Sequence, residues 1–332
     1  MRRAPQRHKV WRAEIRHTLP GTSCKPAIPS LNAPKISLRA AVFLTLPPLF
    51  WAGNAVVGRL IAPLVSPMTL NGLRWVLAFV LLLPLAGAVL RPSSPIWAAS
   101  RRFLLLSLLA IGGYNALLYL ALNTSTPINV TLVGASTPVW MLGIGRVFFG
   151  MRIGARQWLG AALSIAGVML VLSRGELQVL MQVRLVAGDV YMLLASAAWA
   201  YYSWMLVHPT TEPLAVRRDW AAFLLAQVAF GLLWSGLGVG AEWMLGLGRL
   251  HLSAGLAVAL VFIAVCPAVL AYRFWGAGVA LAGPSAAGFF VNLTPLFTAL
   301  MSAAFLGEAP HLYHALAFGL IVGGIVVSSS RR

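Results

Sequence analysis

The chain has 332 residues, of which 60% are hydrophobic and only 10% charged, a balance that excludes a soluble globular protein of this length and leaves an integral membrane protein. A formal net charge of +18 would suggest a nucleic-acid partner in a soluble protein. In a membrane protein, basic residues at the cytoplasmic ends of helices set orientation instead, so no nucleic-acid partner is expected.

Residues 1–38 are basic and broken by Pro5, Pro20, Pro26, Pro29 and Pro34. No small-residue cleavage site follows a short apolar core, so they read as a disordered cytoplasmic tail rather than a signal peptide, with an over-extended gene start as the alternative. From Ala40, apolar runs of about 20 residues, the length that crosses about 30 Å of hydrocarbon as a helix, recur at 40–62, 67–90, 103–123, 126–149, 155–173, 189–207, 219–239, 254–279, 284–306 and 311–328. Ten spans are therefore predicted. Cys24 in the tail and Cys266 in an apolar run give neither a disulfide framework nor a metal pattern.

Lys and Arg fix the expected topology. With a cytoplasmic N-terminus, the inside segments hold the eight basic residues of the tail and Arg39 just after it, Arg91, Arg101 and Arg102 after span 2, and Arg146, Arg152 and Arg156 around the turn between spans 4 and 5. Arg217 and Arg218 before span 7 and Arg331 and Arg332 at the end complete them, against only Arg174, Arg184 and Arg249 outside. Both termini are thus expected in the cytoplasm, with the protein in the cell's inner (plasma) membrane.

An internal repeat organises this chain. Thr137–Val171 aligns without a gap to Thr294–Ser328, 157 residues later: Thr137/Thr294, Pro138/Pro295, Phe148/Phe305, Gly150/Gly307, Leu159/Leu316, Leu163/Leu320 and Gly167/Gly324 are identical, and Pro127 pairs with Pro284. Each unit holds five spans, an odd number, so the second enters the membrane with opposite orientation. The predicted segments are a tail over 1–38, a first repeat over 39–174, a connecting loop over 175–187, a second repeat over 188–328 and a basic end over 329–332. The fold class is all-α integral membrane, ten helices in two inverted five-helix repeats. Such inverted repeats recur in secondary transporters, where the substrate site lies near the midplane and rocking exposes it to each side in turn.

Several stretches resemble the drug/metabolite transporter (DMT) superfamily of EamA type. In the first half these are FWAGNAVVGR from Phe50, Arg74 within LNGLRWVLA, and Pro127 to Val171. In the second they are GDVYMLLASAAWAYYSWM from Gly188, the run Ala271 to Glu308, and the Gly-rich last span. The first unit departs from the pattern at Met151, lacking the Gly-Glu pair kept at Gly307–Glu308. The resemblance implies a metabolite or drug exporter whose cavity is lined by spans 1, 3, 4, 6, 8 and 9.

Ionisable residues inside a bilayer are functional candidates. Arg59, at the outer end of span 1, is expected to snorkel to water. Arg74 lies about 10 Å deep at 1.5 Å per residue and either binds an anionic group or ties span 2 to backbone carbonyls; the structural role is preferred. Arg273, in a wall span, is a substrate or gating candidate. Asp189 and Glu308 sit at helix starts and read as N-terminal caps. With no carboxylate in mid-span to relay protons, facilitated export is expected over proton antiport.

Uncharged residues on the wall spans supply the remaining cavity candidates: Trp51 and Asn54, Tyr114 and Asn115, Trp140, Trp199 and Tyr202, Tyr272, and Asn292. Amides and hydroxyls would hydrogen-bond a small polar solute while the rings cover its apolar part. Alternatively, Asn serves interhelical bonds, and Trp and Tyr serve interfacial belts. Pro138 and Pro295 are hinge candidates, as paired helix breakers. The GxxxG at Gly319–Gly323, echoed at Ala162–Ala166, is expected to give close packing or a homodimer. Glu308, His311 and His314 spread over about 120° of a helix and are not expected to bind metal. No cofactor and no enzymatic chemistry is expected. The expected function is export of amino acids or related zwitterionic metabolites by alternating access, with a drug or nucleotide-sugar transporter, or a non-transport membrane protein, as alternatives.

Overall fold

The structure, a computed structural model, describes residues 36–125, 127–182, 186–306 and 311–329. All but the last three residues of the tail predicted for 1–38 lie outside these, as do Cys24, Arg184, Glu308, Arg331 and Arg332.

Among the described residues, ten helices are long and apolar enough to cross a membrane: α1 (Leu38–Ile61), α2 (Pro67–Leu90), α3 (Ser100–Leu122), α4 (Asn129–Phe149), α5 (Ala155–Leu172), α6 (Ala187–Val207), α7 (Trp220–Met244), α8 (Ala254–Ala282), α9 (Pro284–Met301) and α10 (Leu312–Ser329). They follow the predicted spans to within about five residues; α9 ends earlier than predicted, and α7 runs on to Met244 and so takes Glu242 into its last turn. Starts and stops have local causes. Ser37 Oγ accepts from the Ala40 N–H at the start of α1, Pro67 opens α2 where a missing N–H costs nothing, and Gly150 ends α4 at φ +67°, a left-handed conformation suited to glycine. Large apolar side chains such as Leu60, Leu85, Phe148, Val258 and Phe318 are exposed around the outside, where lipid would cover them.

The packing has the pattern of a two-fold relation between repeats. α5 lies on α10 and α2 on α7, each helix against its own counterpart. α1 packs on α8 and α9 as α6 packs on α3 and α4. At the α5–α10 crossing a Cβ on Gly160 would stand 2.6 Å from the Gly324 carbonyl oxygen, and one on Gly167 2.9 Å from that of Ala317. Those two contacts are the same contact seen from either repeat, since 157 residues separate Gly160 from Ala317 and Gly167 from Gly324. Within the bundle, the close packing expected of the GxxxG falls elsewhere. Gly319 and Gly323 meet open space, and Ala162 and Ala166 are exposed; the close approach uses the opposite face of both helices.

Four helices are interrupted, in matched pairs. α4 stops at Gly134 and restarts at Thr137, and α9 stops at Val291 and restarts at Leu293. Pro138 and Pro295 each lack the N–H that would bond four residues back. In α4 the Thr137 hydroxyl replaces it, donating to the Gly134 carbonyl at 2.7 Å. α3 widens into a π-helical turn at Leu108–Gly112, and α8 does so at Ala264–Leu270. An offset of 157 residues lays the first of these inside the second.

Candidate functional site

Six aromatic rings from α1, α3, α6 and α8 meet in the centre of the bundle. Trp199 of α6 is their hub, with ring centroids 5.2 Å from Trp51, 5.6 Å from Tyr114, 5.2 Å from Tyr202, 5.7 Å from Tyr272 and 5.4 Å from Trp275. Trp51 and Trp199 each stand near the middle of the first helix of their repeat. Both halves of the chain thus supply the same group to the same place. Trp75 of α2 extends the cluster through Tyr272, edge-on at 5.1 Å.

The π-helical turns hold two of these rings. A π turn lengthens the backbone bond from four residues to five and frees a carbonyl, which is one reason such turns gather at functional sites. Tyr272 Oη donates to the Ala110 carbonyl at 2.7 Å, and Trp51 Nε1 to the Pro267 carbonyl at 3.3 Å. Ala110 and Pro267 are repeat counterparts. Each half therefore offers an aromatic donor to the π turn of the other half's third helix. Trp275 Nε1 reaches Ser203 Oγ at 3.1 Å, and Ser203 in turn donates to the Trp199 carbonyl at 2.8 Å. The hub itself is unsatisfied: Trp199 Nε1 and, one residue short of a turn away, Ser196 Oγ are buried without partners. An unpaired indole N–H at the hub of an aromatic cluster, with a free hydroxyl three residues before it on the same helix, is where a solute would find hydrogen bonds.

Of the predicted cavity residues, Trp51, Tyr114, Trp199, Tyr202 and Tyr272 come together here. Asn54 is half-buried on the next turn of α1, and Trp140 half-buried on α4. Asn115 spends its amide on the Ile111 carbonyl at 2.8 Å, inside the α3 π turn. Asn292 donates to the Ala135 carbonyl and to Ser164 Oγ, at 3.2 and 2.9 Å. Arg273 does not join the cluster: it is exposed, with its guanidinium 4.2 Å above the Trp220 ring, because it is turned about 100° around α8 from Tyr272. Arg74 is buried, with Nη2 donating to Asn71 Oδ1.

Acidic residues close the ends of the bundle. Asp189 accepts from the Val186 N–H at 2.8 Å and the Ser125 hydroxyl at 2.7 Å, so it caps α6 and ties it to α3. Glu242, which the sequence did not single out, caps α2 from the other repeat. It accepts from the Met68 and Thr69 N–H groups at 2.9 and 2.8 Å and from the Ser66 and Thr69 hydroxyls at 2.6 and 2.7 Å. Arg102 pairs with Glu212 at 2.8 Å and also donates to the carbonyls of Met205 and His208. His314 Nδ1 accepts from the His311 N–H at the start of α10, a capping role.

Among the described residues, ten helices fit to cross a membrane stand in two related halves around a shared aromatic centre, the arrangement of a multi-pass membrane protein. The model of the EamA-like transporter family matches residues 38–173 and 186–330, and the chain belongs to that family, within the DMT superfamily. It is 26% identical over 301 residues to an uncharacterized transporter of Archaeoglobus fulgidus, spanning 88% of this chain and 97% of that one. It is also 26% identical over 283 residues to the uncharacterized inner membrane transporter YedA of Escherichia coli, spanning 84% and 87%. One solved crystal structure superimposes with a TM-score of 0.68 at 19% identity, covering 87% of this chain and 95% of that one, a likeness of fold alone.

Proposed function

We propose that this protein exports amino acids or related zwitterionic metabolites across the inner membrane by alternating access, with both termini in the cytoplasm. The observation that carries this reading is the aromatic centre, to which Trp51 and Trp199 contribute equally from the two repeats and in which Trp199 Nε1 and Ser196 Oγ lack partners. Aromatic faces accept an ammonium group or an apolar side chain, and the free N–H and O–H would donate to a carboxylate or other polar acceptor. The matched interruptions in α3 and α8, and in α4 and α9 beside Pro138 and Pro295, fall at corresponding places in both halves, where rocking between two inverted units would need joints.

Export runs down a gradient rather than on a proton relay. Supporting this, Asp189 and Glu242, carboxylates of the described helices, stand at helix ends and are occupied as caps. Purified protein in liposomes is expected to release a preloaded radiolabelled amino acid chemically unchanged, at a rate indifferent to an imposed pH gradient. Chemical conversion of the solute would make the protein an enzyme instead. Flux that follows the pH gradient and fails in Glu308→Gln would establish proton coupling.

A further inference from the structure

Arg74 carries a charge that the bundle does not neutralise. It is 8% exposed, about two turns into α2, and no carboxylate among the described residues lies within ion-pair distance of it. The nearest acid along the α2–α7 contact, Glu242, already accepts four hydrogen bonds at the start of α2. Removing a guanidinium from water without an anion is costly, and the side chain still has capacity to spare: Nη2 is held by Asn71 Oδ1, while Nε is buried with no partner.

The local geometry holds this charge in one place. Asn71 Oδ1 accepts from both Arg74 and, at 3.1 Å, Trp75 Nε1, so a single amide fixes the guanidinium and the neighbouring indole. Arg74 Cζ stands 5.1 Å from the Trp75 ring centroid. Trp75 is edge-on to Tyr272 at 5.1 Å, and Tyr272 meets the Trp199 hub at 5.7 Å. The cation therefore stands at the rim of the aromatic centre, one ring away from Tyr272.

We propose that Arg74 receives a carboxylate of the transported solute, whose apolar or ammonium-bearing remainder sits among the rings around Trp199. This rests on the transporter reading above and names its substrate class: small carboxylates, zwitterionic or simply anionic, carried beside an apolar body. A guanidinium is a planar fork that matches a carboxylate with two parallel bonds. Phosphate esters fit poorly, because a dianion would meet Arg74 alone among the described residues that make up this cluster; Arg273 is exposed over Trp220. The positive charge also requires no acid to relay protons, since the solute itself supplies the counter-charge.

The test uses full-length protein in nanodiscs and three probes that share an aryl body: L-phenylalanine, 3-phenylpropionate, which keeps only the carboxylate, and phenethylamine, which keeps only the amine. Tryptophan fluorescence reports binding. The wild type is expected to bind both carboxylates at least tenfold more tightly than the amine, and Arg74→Gln to lose that preference while binding the amine as before. If Arg74→Gln does not fold, Arg74→Lys is expected to bind the carboxylates at least threefold more weakly than the wild type, since an ammonium lacks the fork. A wild type that binds neither carboxylate, or prefers the amine, overturns the proposal, as does a folded Arg74 variant with unchanged carboxylate affinity. Liposome flux separates the two readings: solute transport that persists with an unaltered carboxylate preference in Arg74→Gln ends the Arg74 assignment and leaves the transporter standing, whereas a wild type that converts its solute ends both.

Discussion

Asn292 donates its amide N–H to the carbonyl of Ala135 at 3.2 Å, and Ala135 is the residue 157 positions earlier that holds the same place in the other repeat. A contact between two repeat counterparts lies on the axis that relates the repeats. It also sits in the interruptions of α4 and α9, so the two bends are joined to each other, with Ser164 of α5 as a third member. Asn292→Ala is expected to leave both acceptors buried and unpaired and to cost about 1 kcal/mol, in the range of interhelical bonds within membranes. Thermal unfolding in detergent would read this as a lowered midpoint. A midpoint equal to the wild type's would mean that the axis contact contributes nothing.

Trp199 tests the hub directly. Its indole N–H is buried and unpaired, so Trp199→Phe removes an unsatisfied donor together with part of the ring volume packed against its neighbours. The lost volume is expected to cost about 1–3 kcal/mol, while solute affinity falls about fivefold or more. Equal affinities in wild type and variant would show that the free N–H does not face the solute.

Architecture was legible in this sequence because hydrocarbon demands it. Runs of the right length, the basic residues at their ends and a self-match at a constant offset define ten spans and two halves without any structure. The aromatic centre was half legible: Trp51, Tyr114, Trp199, Tyr202 and Tyr272 follow from placement on wall helices, but Trp75 and Trp275 do not stand out among twelve tryptophans. Helix face decides the rest. Tyr272 and Arg273 are adjacent in sequence, yet a rotation of about 100° per residue sends one to the centre and the other outward over Trp220. The same rotation turned Gly319–Gly323 away from α5 in favour of Gly324. The π turns left almost no sign, since only Pro267 marks one of them and Ala110, its counterpart, is unremarkable.

The glycine faces of α5 and α10 lead to a contrast. Gly160→Ala places a methyl 2.6 Å from the Gly324 carbonyl oxygen and forces the helices apart, whereas Gly323→Ala adds one in open space. Gly160→Ala is expected to cost about 1–3 kcal/mol through overpacking, and Gly323→Ala to be neutral or slightly stabilising through better helix propensity. Melting both variants beside the wild type checks this; a larger loss in Gly323→Ala would place the helix contact on the other face.

Glu212 gives one end of the bundle a pH dependence. Burial alone would raise its carboxyl, but donation from Arg102 and from the Thr210 N–H outweighs that and holds it below the usual carboxylate range. A folded value below the unfolded one contributes stability that is present above the unfolded pKa, about 4.3 for Glu, and lost as pH falls through the folded pKa. Glu212→Gln is therefore expected to melt below the wild type at pH 7, with the gap closing as pH drops under about 4. A gap of constant size across that window would mean that ionisation of Glu212 adds nothing to the fold.

The two π turns allow the rocking motion to be tested apart from binding. Tyr272→Phe removes the donor to Ala110 and Trp51→Phe the donor to Pro267, and each variant keeps an aromatic ring in the centre. Because the freed carbonyls are counterparts, the two losses act on opposite halves of one symmetric device, and similar effects are expected from both. A hydrogen bond of about 1 kcal/mol that holds a bend in one conformation should alter the rate of exchange between conformations about fivefold. The affinity for solute, set by the rings, should change less than about twofold. Initial efflux from liposomes over a range of internal concentrations separates rate from affinity. Should Tyr272→Phe raise the half-saturating concentration and leave the maximal rate intact, its hydroxyl would be a solute contact rather than a brace on α3. Should only one of the two variants slow transport, the matched turns would be unequal in function despite their equal place in the repeats.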